Sequence, residues 1–127
     1  LGYKMSDGRP TIKSHLGFWG EVVSLDALRV AEKSTTDPRY LQHVTNFIYE
    51  HPEKFRLKLL NAPDSLGRAE NIRLTLDTDG DFKALKTVYQ EMESENIEIS
   101  PVNVVDYVNG KPEILSEMKK QIELNSK

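Results

Sequence analysis

Apolar and polar residues follow two different periods in the middle of the chain. Residues 72–77 alternate between apolar and polar side chains, which is typical of a β-strand with one buried face. From Asp81 onward the apolar residues recur at helical spacing, and they are Phe82, Leu85, Tyr89 and Met92. Thr78 or Asp79 can cap this helix, because each side-chain oxygen can accept a hydrogen bond from the first turn. The two patterns predict a core strand and helix within residues 70–95.

The region before this unit predicts further strands and helices. Residues 1–16 are rich in turn formers and predict a loop or a hairpin. Residues 17–60 predict a strand, two helices and a second strand. These elements are a strand at 21–24, a helix from the Ser24 cap to about Lys33, a helix from Pro38 to the His51-Pro52 pair with Asp37 as its cap, and a strand at 55–59.

The last part of the chain, residues 100–127, predicts two helices. Ser100 and Pro101 form a cap and a first turn, and Asn109-Gly110 ends that helix. Pro112 begins the final helix. The predicted fold class is therefore α/β, with a short sheet, flanking helices and a helical tail, and residues 1–127 form one domain.

Composition excludes several classes of function. The chain has 127 residues, a net charge of −3 with mixed signs, and no cysteine. This charge does not favour nucleic-acid binding or a polybasic membrane surface. No apolar run approaches the length that spans a bilayer. The absence of cysteine excludes disulfides and thiolate zinc sites and suits a cytoplasmic protein.

An acidic run, residues 77–81, is the strongest candidate for chemistry. Its carboxylates have the spacing of a calcium loop, but Phe82 and Val88 occupy the places where an EF-hand needs Gly and Glu. The run also resembles the Asp-x-Asp-Gly motif of haloacid-dehalogenase-like phosphatases, with Asp77 as nucleophile and Asp79 as acid and base. Only helices are predicted after Asp81, whereas such enzymes need further parallel strands. A third interpretation is that the carboxylates only cap and solvate a turn.

The histidines are dispersed and do not form a zinc motif. His43 and His51 would face one side of a helix only if Pro52 did not end it. On sequence alone, His43 beside Thr45 is more typical of a structural polar pair than of a ligand set.

Four stretches nevertheless form an ordered set. They are 17–28 with Glu21-Val22-Val23-Ser24, 41–55 with His43-Val44-Thr45, 73–81 with Leu74-Thr75-Leu76-Asp77-Thr78, and 109–122 with Pro112-Glu113-Ile114. In the same order, these stretches resemble segments of the spore-coat-polysaccharide-type cytidylyltransferases. That family is related to the CMP-sialic-acid and CMP-Kdo synthetases. The resemblance covers nearly the whole chain from Gly17 onward.

The resemblance implies a fold, an activity and a set of site residues. The fold is the C-terminal part of a Rossmann-like nucleotidyltransferase of the glycosyltransferase-A type. The activity is the coupling of CTP to a sugar acid with Mg²⁺ in a cytoplasmic enzyme. By resemblance, Asp77 is a metal ligand, His43 and Thr45 bind substrate, and Asp81 caps the following helix. No catalytic residue is assigned, and residues 17–60 would shape the acceptor side and a homodimer contact.

Departures from the family pattern limit this expectation. Trp19 stands where many members have an aspartate, and Leu41-Gln42 replaces an Arg-Glu pair. The glycine-rich loop that holds the CTP triphosphate does not occur in the chain. The chain is therefore expected to be an incomplete domain that is inactive alone. The alternative from another class is a non-catalytic interaction or oligomerisation module, with Phe18 and Trp19 on its partner surface.

Overall fold

The computed structural model describes residues 1–125 as a short parallel sheet surrounded by helices. The strands are β1 (Gly2–Lys4) and β2 (Leu59–Asn61). The helices are α1 (Leu25–Ser34), α2 (Pro38–Gln42), α3 (Asn46–Glu50), α4 (Asp79–Ser94), α5 (Pro101–Asn109) and α6 (Pro112–Asn125). Two short 3-10 helices cover Thr11–Lys13 and Asp64–Leu66. The α/β class is therefore confirmed, and the final two residues of the last predicted segment lie outside the described residues.

The two strands pair in parallel, with Gly2 opposite Leu59 and Lys4 opposite Asn61. Parallel pairing needs a long crossover, which α1, α2 and α3 provide. β1 lies within residues 1–16, which were predicted as a loop or a hairpin. Most of the turn formers on which that prediction was based lie after the strand, at residues 6–10. β2 begins at the last residue of the strand predicted at 55–59.

The strand predicted at 72–77 does not form. Leu74 N and Thr75 N both donate to the carbonyl of His15, and no neighbouring strand supplies a ladder among the described residues. Burial does not alternate either, since Arg73 is 3% exposed whereas Leu76 is 61% exposed. The strand predicted at 21–24 is also absent, although Val22 exchanges two hydrogen bonds with Leu1.

The predicted helix caps are confirmed. The side chains of Ser24, Asp37, Thr78 and Ser100 each accept a hydrogen bond from the first turn of the helix that follows. The long helix predicted from Pro38 is instead two short helices, α2 and α3. The chain between them, residues 43–45, leaves the helical conformation at His43, where φ is −122° and ψ is 73°.

Two apolar clusters form the core. The larger cluster joins α4, α5 and α6, and its buried members are Leu16, Leu66, Ala69, Ile72, Val88, Met92, Val105, Val108 and Met118. The smaller cluster lies between α1 and α3 and contains Ala31, Phe47 and Ile48. Phe18 and Trp19 contact each other, and Trp19 packs against the larger cluster. These aromatics therefore contribute to the domain's own packing, although Phe18 keeps a partly exposed ring.

Helix α4 buries only part of the apolar face that was predicted, since Met92 is buried and Leu85 is half-buried. Its buried residues are Asp81, Val88 and Met92, whereas Phe82 and Tyr89 are each more than half exposed. On the buried side of the helix, the Asp81 carboxylate pairs with buried Arg73. None of the helices in the described part of the chain is long and apolar enough to cross a membrane.

Candidate functional site

Arg73 is the centre of a polar cluster at the beginning of α4. Its guanidinium donates from Nε to Asp81 Oδ1 over 2.6 Å and from Nη2 to Asp81 Oδ2 over 3.0 Å. Nη2 also donates to Asp77 Oδ2 over 3.0 Å, and Nη1 lies 3.0 Å from His15 Nδ1. All three nitrogens of the guanidinium are therefore engaged, and Arg73 and Asp81 are both buried.

The local sequence explains why Asp81 lies at this position. Thr78 and Asp81 form a capping box, in which Asp81 N donates to Thr78 Oγ1 and Thr78 N donates to Asp81 Oδ2. Asp77 N also donates to Asp81 Oδ2, over 3.0 Å. The expected capping role of Asp81 is thus observed, and the same carboxylate additionally pairs with Arg73.

The electrostatics of the cluster favour a charged Asp81 and a neutral His15. The hydrogen bond from Arg73, with those from the backbone of Asp77 and from Thr78, lowers the pKa of Asp81 to about 2 against the desolvation that opposes it. Burial and the adjacent Arg73 charge lower the pKa of His15. Nδ1 of a neutral His15 can accept a hydrogen bond from Arg73 Nη1.

Stability is expected to fall in acid because of Asp81. The pKa of Asp81 is about 2 in the folded chain and about 3.9 in the unfolded chain. The ionised carboxylate therefore stabilises the folded state at any pH at which it is ionised in both states. The contribution of about 2–3 kcal/mol is present above pH 5 and is lost as the pH falls through 4 toward 2. Urea denaturation between pH 6 and pH 2.5 measures it. Asp81→Asn should flatten this part of the profile, and an unchanged slope in that variant would assign the effect to other groups.

Asp77 is exposed, but it does not end a strand. Its side chain is 64% exposed, and its Oδ2 accepts from Arg73. Oδ1 takes part in none of the hydrogen bonds found among residues 1–125. The predicted position at the end of a central strand is wrong, because residues 72–77 have no ladder partner.

Asp77 fits a magnesium site only as one ligand of several. Mg²⁺ commonly takes one or two protein carboxylates and completes its shell with water and phosphate oxygens. The free Oδ1 of Asp77 suits that role. Within the described residues no group of three His, Asp or Glu side chains could hold a metal. Asp81 is unsuited because both of its oxygens already accept hydrogen bonds.

A second polar cluster lines a cavity of about 290 Å³ beside α1, α3 and β2. Glu21 accepts from Thr45 Oγ1 over 2.8 Å and from the Tyr49 hydroxyl over 2.6 Å. Burial and the hydrogen bond to Glu21 raise the pKa of Tyr49 strongly, so its hydroxyl stays protonated. Gly2 makes room for this hydroxyl, since a Cβ there would lie 2.8 Å from it.

The structure separates the site residues predicted from sequence. Thr45 lines the cavity with Glu21 and Tyr49, whereas His43 is exposed at the break between α2 and α3. Asp77 does not line this cavity. The substrate-binding roles of His43 and Thr45 and the metal role of Asp77 stay predictions.

Sequence reasoning missed the residues that organise both clusters, namely His15, Glu21, Tyr49 and Arg73. The available signal was Arg73, a charged residue inside an alternating apolar stretch and four residues before Asp77. The phosphatase alternative gains no support, because the described chain after α4 contains α5 and α6 and no further strand.

Two curated proteins are similar to this chain. The spore coat polysaccharide biosynthesis protein SpsF of Bacillus subtilis is 32% identical over 113 residues, which are 88% of this chain and 46% of SpsF. An uncharacterized protein of Methanocaldococcus jannaschii is 36% identical over 99 residues, which are 78% of this chain and 40% of that protein. No family model and no solved structure matches the chain.

These similarities confirm the resemblance predicted from the sequence, because this chain is similar to the spore coat protein SpsF over 88% of its own length. The chain spans less than half the length of the curated relatives it matches.

Proposed function

We propose that the chain is the C-terminal portion of a cytoplasmic nucleotidyltransferase of the glycosyltransferase-A type. The complete enzyme would couple CTP to a sugar acid with Mg²⁺ and release pyrophosphate, and its product would serve surface polysaccharide synthesis. The observation that carries the proposal is the similarity to SpsF over 88% of this chain. The name of SpsF refers to spore coat polysaccharide biosynthesis, which motivates the substrate class.

In this proposal Asp77 is the residue that binds Mg²⁺. Bound Mg²⁺ would neutralise phosphate charge as it develops during nucleotidyl transfer. Asp77 suits this role because its carboxylate is exposed and one oxygen is free, while Arg73 holds the other. Arg73 and Asp81 are buried and paired, so neither is offered as a phosphate contact.

In this proposal the sugar acid binds in the cavity that Thr45 lines. Thr45 and Tyr49 direct their hydroxyl protons to Glu21, so their oxygens are left as acceptors for the hydroxyl groups of a sugar. Arg56 and Lys58 line the same cavity and are exposed, and their charges suit the carboxylate of a sugar acid. His43 lies just before Thr45 in the chain, and its substrate contact and the homodimer are further parts of the proposal.

The 127-residue chain is expected to show no CMP-sugar formation and no measurable CTP binding. Nucleotidyl transfer depends on backbone donors, basic side chains and Mg²⁺ acting together around the phosphates, and Asp77 supplies part of one of these. A lone exposed carboxylate binds Mg²⁺ weakly, because the ion gives up its waters reluctantly. Isothermal titration calorimetry with CTP and Mg²⁺ measures this, and tight magnesium-dependent binding would refute the proposal of an incomplete site.

In a longer protein that contains this chain, Asp77→Asn is expected to reduce turnover at least about a hundredfold, because a group that stabilises phosphate charge is lost. Asp79→Asn is the matched control, since Asp79 is an exposed carboxylate two residues away. Its turnover should stay close to that of the parent protein. Pyrophosphate release in the presence of CTP and sugar acids gives the rate. Normal turnover of the Asp77→Asn protein would remove the metal role from Asp77.

A further inference from the structure

We propose that His15 is a pH-sensitive latch, which ties the loop at residues 14–17 to buried Arg73 while its ring is neutral and releases Arg73 when the ring is protonated. This device belongs to the fold and does not depend on the proposed function. It rests on the direction of one hydrogen bond and on the fixed position of the guanidinium that donates it.

The direction of the hydrogen bond fixes the tautomer of His15. Nδ1 of His15 lies 3.0 Å from Arg73 Nη1. A guanidinium has only donors and does not lose its proton in proteins, so Nδ1 of His15 must be the acceptor. The ring proton of neutral His15 is therefore on Nε2. Protonation of the ring would place a second N–H on Nδ1, directly facing the N–H of Arg73.

Arg73 cannot turn away to make room for that proton. Its Nε and Nη2 donate to both oxygens of Asp81, and Nη2 also donates to Asp77. Arg73 is 3% exposed, so rotation of its guanidinium would leave buried donors and a buried carboxylate without partners. His15 is only half-buried, so its ring is the partner that moves away toward solvent.

The charges around His15 set the pH range in which the latch opens. Burial, then Arg73 and then Arg9 lower the pKa of His15, against the opposing effects of Asp77 and Asp81. The unfolded chain takes up this proton near the ordinary value of about 6.5, whereas the folded chain takes it up only at lower pH. The latch is therefore closed at neutral pH, and its contribution to stability falls as the pH drops below about 6.5.

His51 provides an internal control, because its hydrogen bond has the opposite direction. Its Nδ1 lies 2.8 Å from the carbonyl oxygen of Phe47, which only accepts, so Nδ1 of His51 carries the proton. Protonation of His51 adds a proton at Nε2 and leaves this hydrogen bond in place. Both histidines are half-buried, so a comparison between them isolates the direction of the hydrogen bond.

NMR spectroscopy of the 127-residue chain tests the latch without any substitution. Imidazole nitrogen shifts at pH 8 should show the proton of His15 on Nε2 and that of His51 on Nδ1. Between pH 8 and pH 5 the amide signals of Leu74 and Thr75 should follow the protonation of His15, because both amides donate to the His15 carbonyl. Their protection from hydrogen exchange should fall roughly fivefold, as expected when about one hydrogen bond of the attachment is lost. A His15 proton on Nδ1, or amide signals that do not follow His15, would overturn the proposal.

His15→Asn is the matched variant, because the asparagine side chain offers an oxygen acceptor that does not titrate. The pH-dependent movement of the Leu74 and Thr75 signals should be lost, while His51 titrates as in the parent chain. A transition that persists in folded His15→Asn would assign it to other groups and reject the latch. Where the variant does not fold, the tautomer of His15 in the parent chain decides the question.

Discussion

Replacing Arg73 by methionine is expected to lower the free energy of unfolding by about 3–5 kcal/mol, the cost of leaving a buried charge without its partner. Asp81 is buried with Arg73, and Arg73 donates to both of its oxygens. Without Arg73, Asp81 must either stay charged in a desolvated place or take up a proton. For a domain of this size such a loss is a large share of the total stability. Urea denaturation at pH 7 measures it.

Two further variants show whether the loss comes from the unpaired charge. Arg68→Met is the matched control, because Arg68 pairs with Asp106 at the surface and should cost less than about 1 kcal/mol. The double variant Arg73→Met, Asp81→Leu removes both charges and is expected to be more stable than Arg73→Met alone. A double variant that is less stable than Arg73→Met would contradict this explanation and would assign the loss to packing or to the helix cap.

Gly17→Ala is expected to cost about 2–4 kcal/mol, because two unfavourable terms add at one position. The backbone of Gly17 has φ of +70°, which side chains of L-residues rarely adopt. A Cβ at this position would also lie 2.9 Å from the Leu74 carbonyl oxygen, which belongs to the main chain and cannot move aside cheaply. Denaturation with urea at pH 7 gives the difference in the free energy of unfolding.

Two other glycines of the chain separate these terms. Gly8 has φ of +86°, and a Cβ added to it would meet nothing within 4 Å, so Gly8→Ala reports the backbone term alone. Gly20 has open space and no positive φ, so Gly20→Ala should change stability by less than about 1 kcal/mol. A cost for Gly17→Ala equal to that for Gly8→Ala would show that the segment at Leu74 moves away from residue 17.

The Gly17 variant also tests how the segment before α4 is held in place. Residues 15–17 approach residues 74 and 75 through the two hydrogen bonds that the His15 carbonyl accepts. His15 contacts Arg73 with its side chain as well. Displacement of this loop should therefore disturb the Arg73 cluster, and a change in the chemical shifts of the Asp77 and Thr78 amides in Gly17→Ala would report it.

The sequence by itself determined where most of the helices begin. Ser24, Asp37, Thr78 and Ser100 could be recognised because capping is a local interaction between a side chain and the next turn. The α/β class was also predicted, although the strands predicted at 21–24 and 72–77 do not form. The resemblance to spore coat polysaccharide proteins was also present in the order of short stretches, and the similarity to SpsF confirms it.

Only the tertiary structure decided which sides of these elements are buried. The alternation at 72–77 predicts a strand, but strands depend on partners that are distant in the chain, and here His15 provides the backbone contact instead. The helical pattern of α4 predicted Phe82 and Tyr89 inside, yet the helix turns toward the core with Asp81. A buried carboxylate cannot be inferred from periodicity, because its burial depends on Arg73 reaching it from eight residues earlier. Asp77 could likewise be recognised in the sequence from its place in a motif. Its hydrogen bond from Arg73, in contrast, is evident only from the tertiary structure.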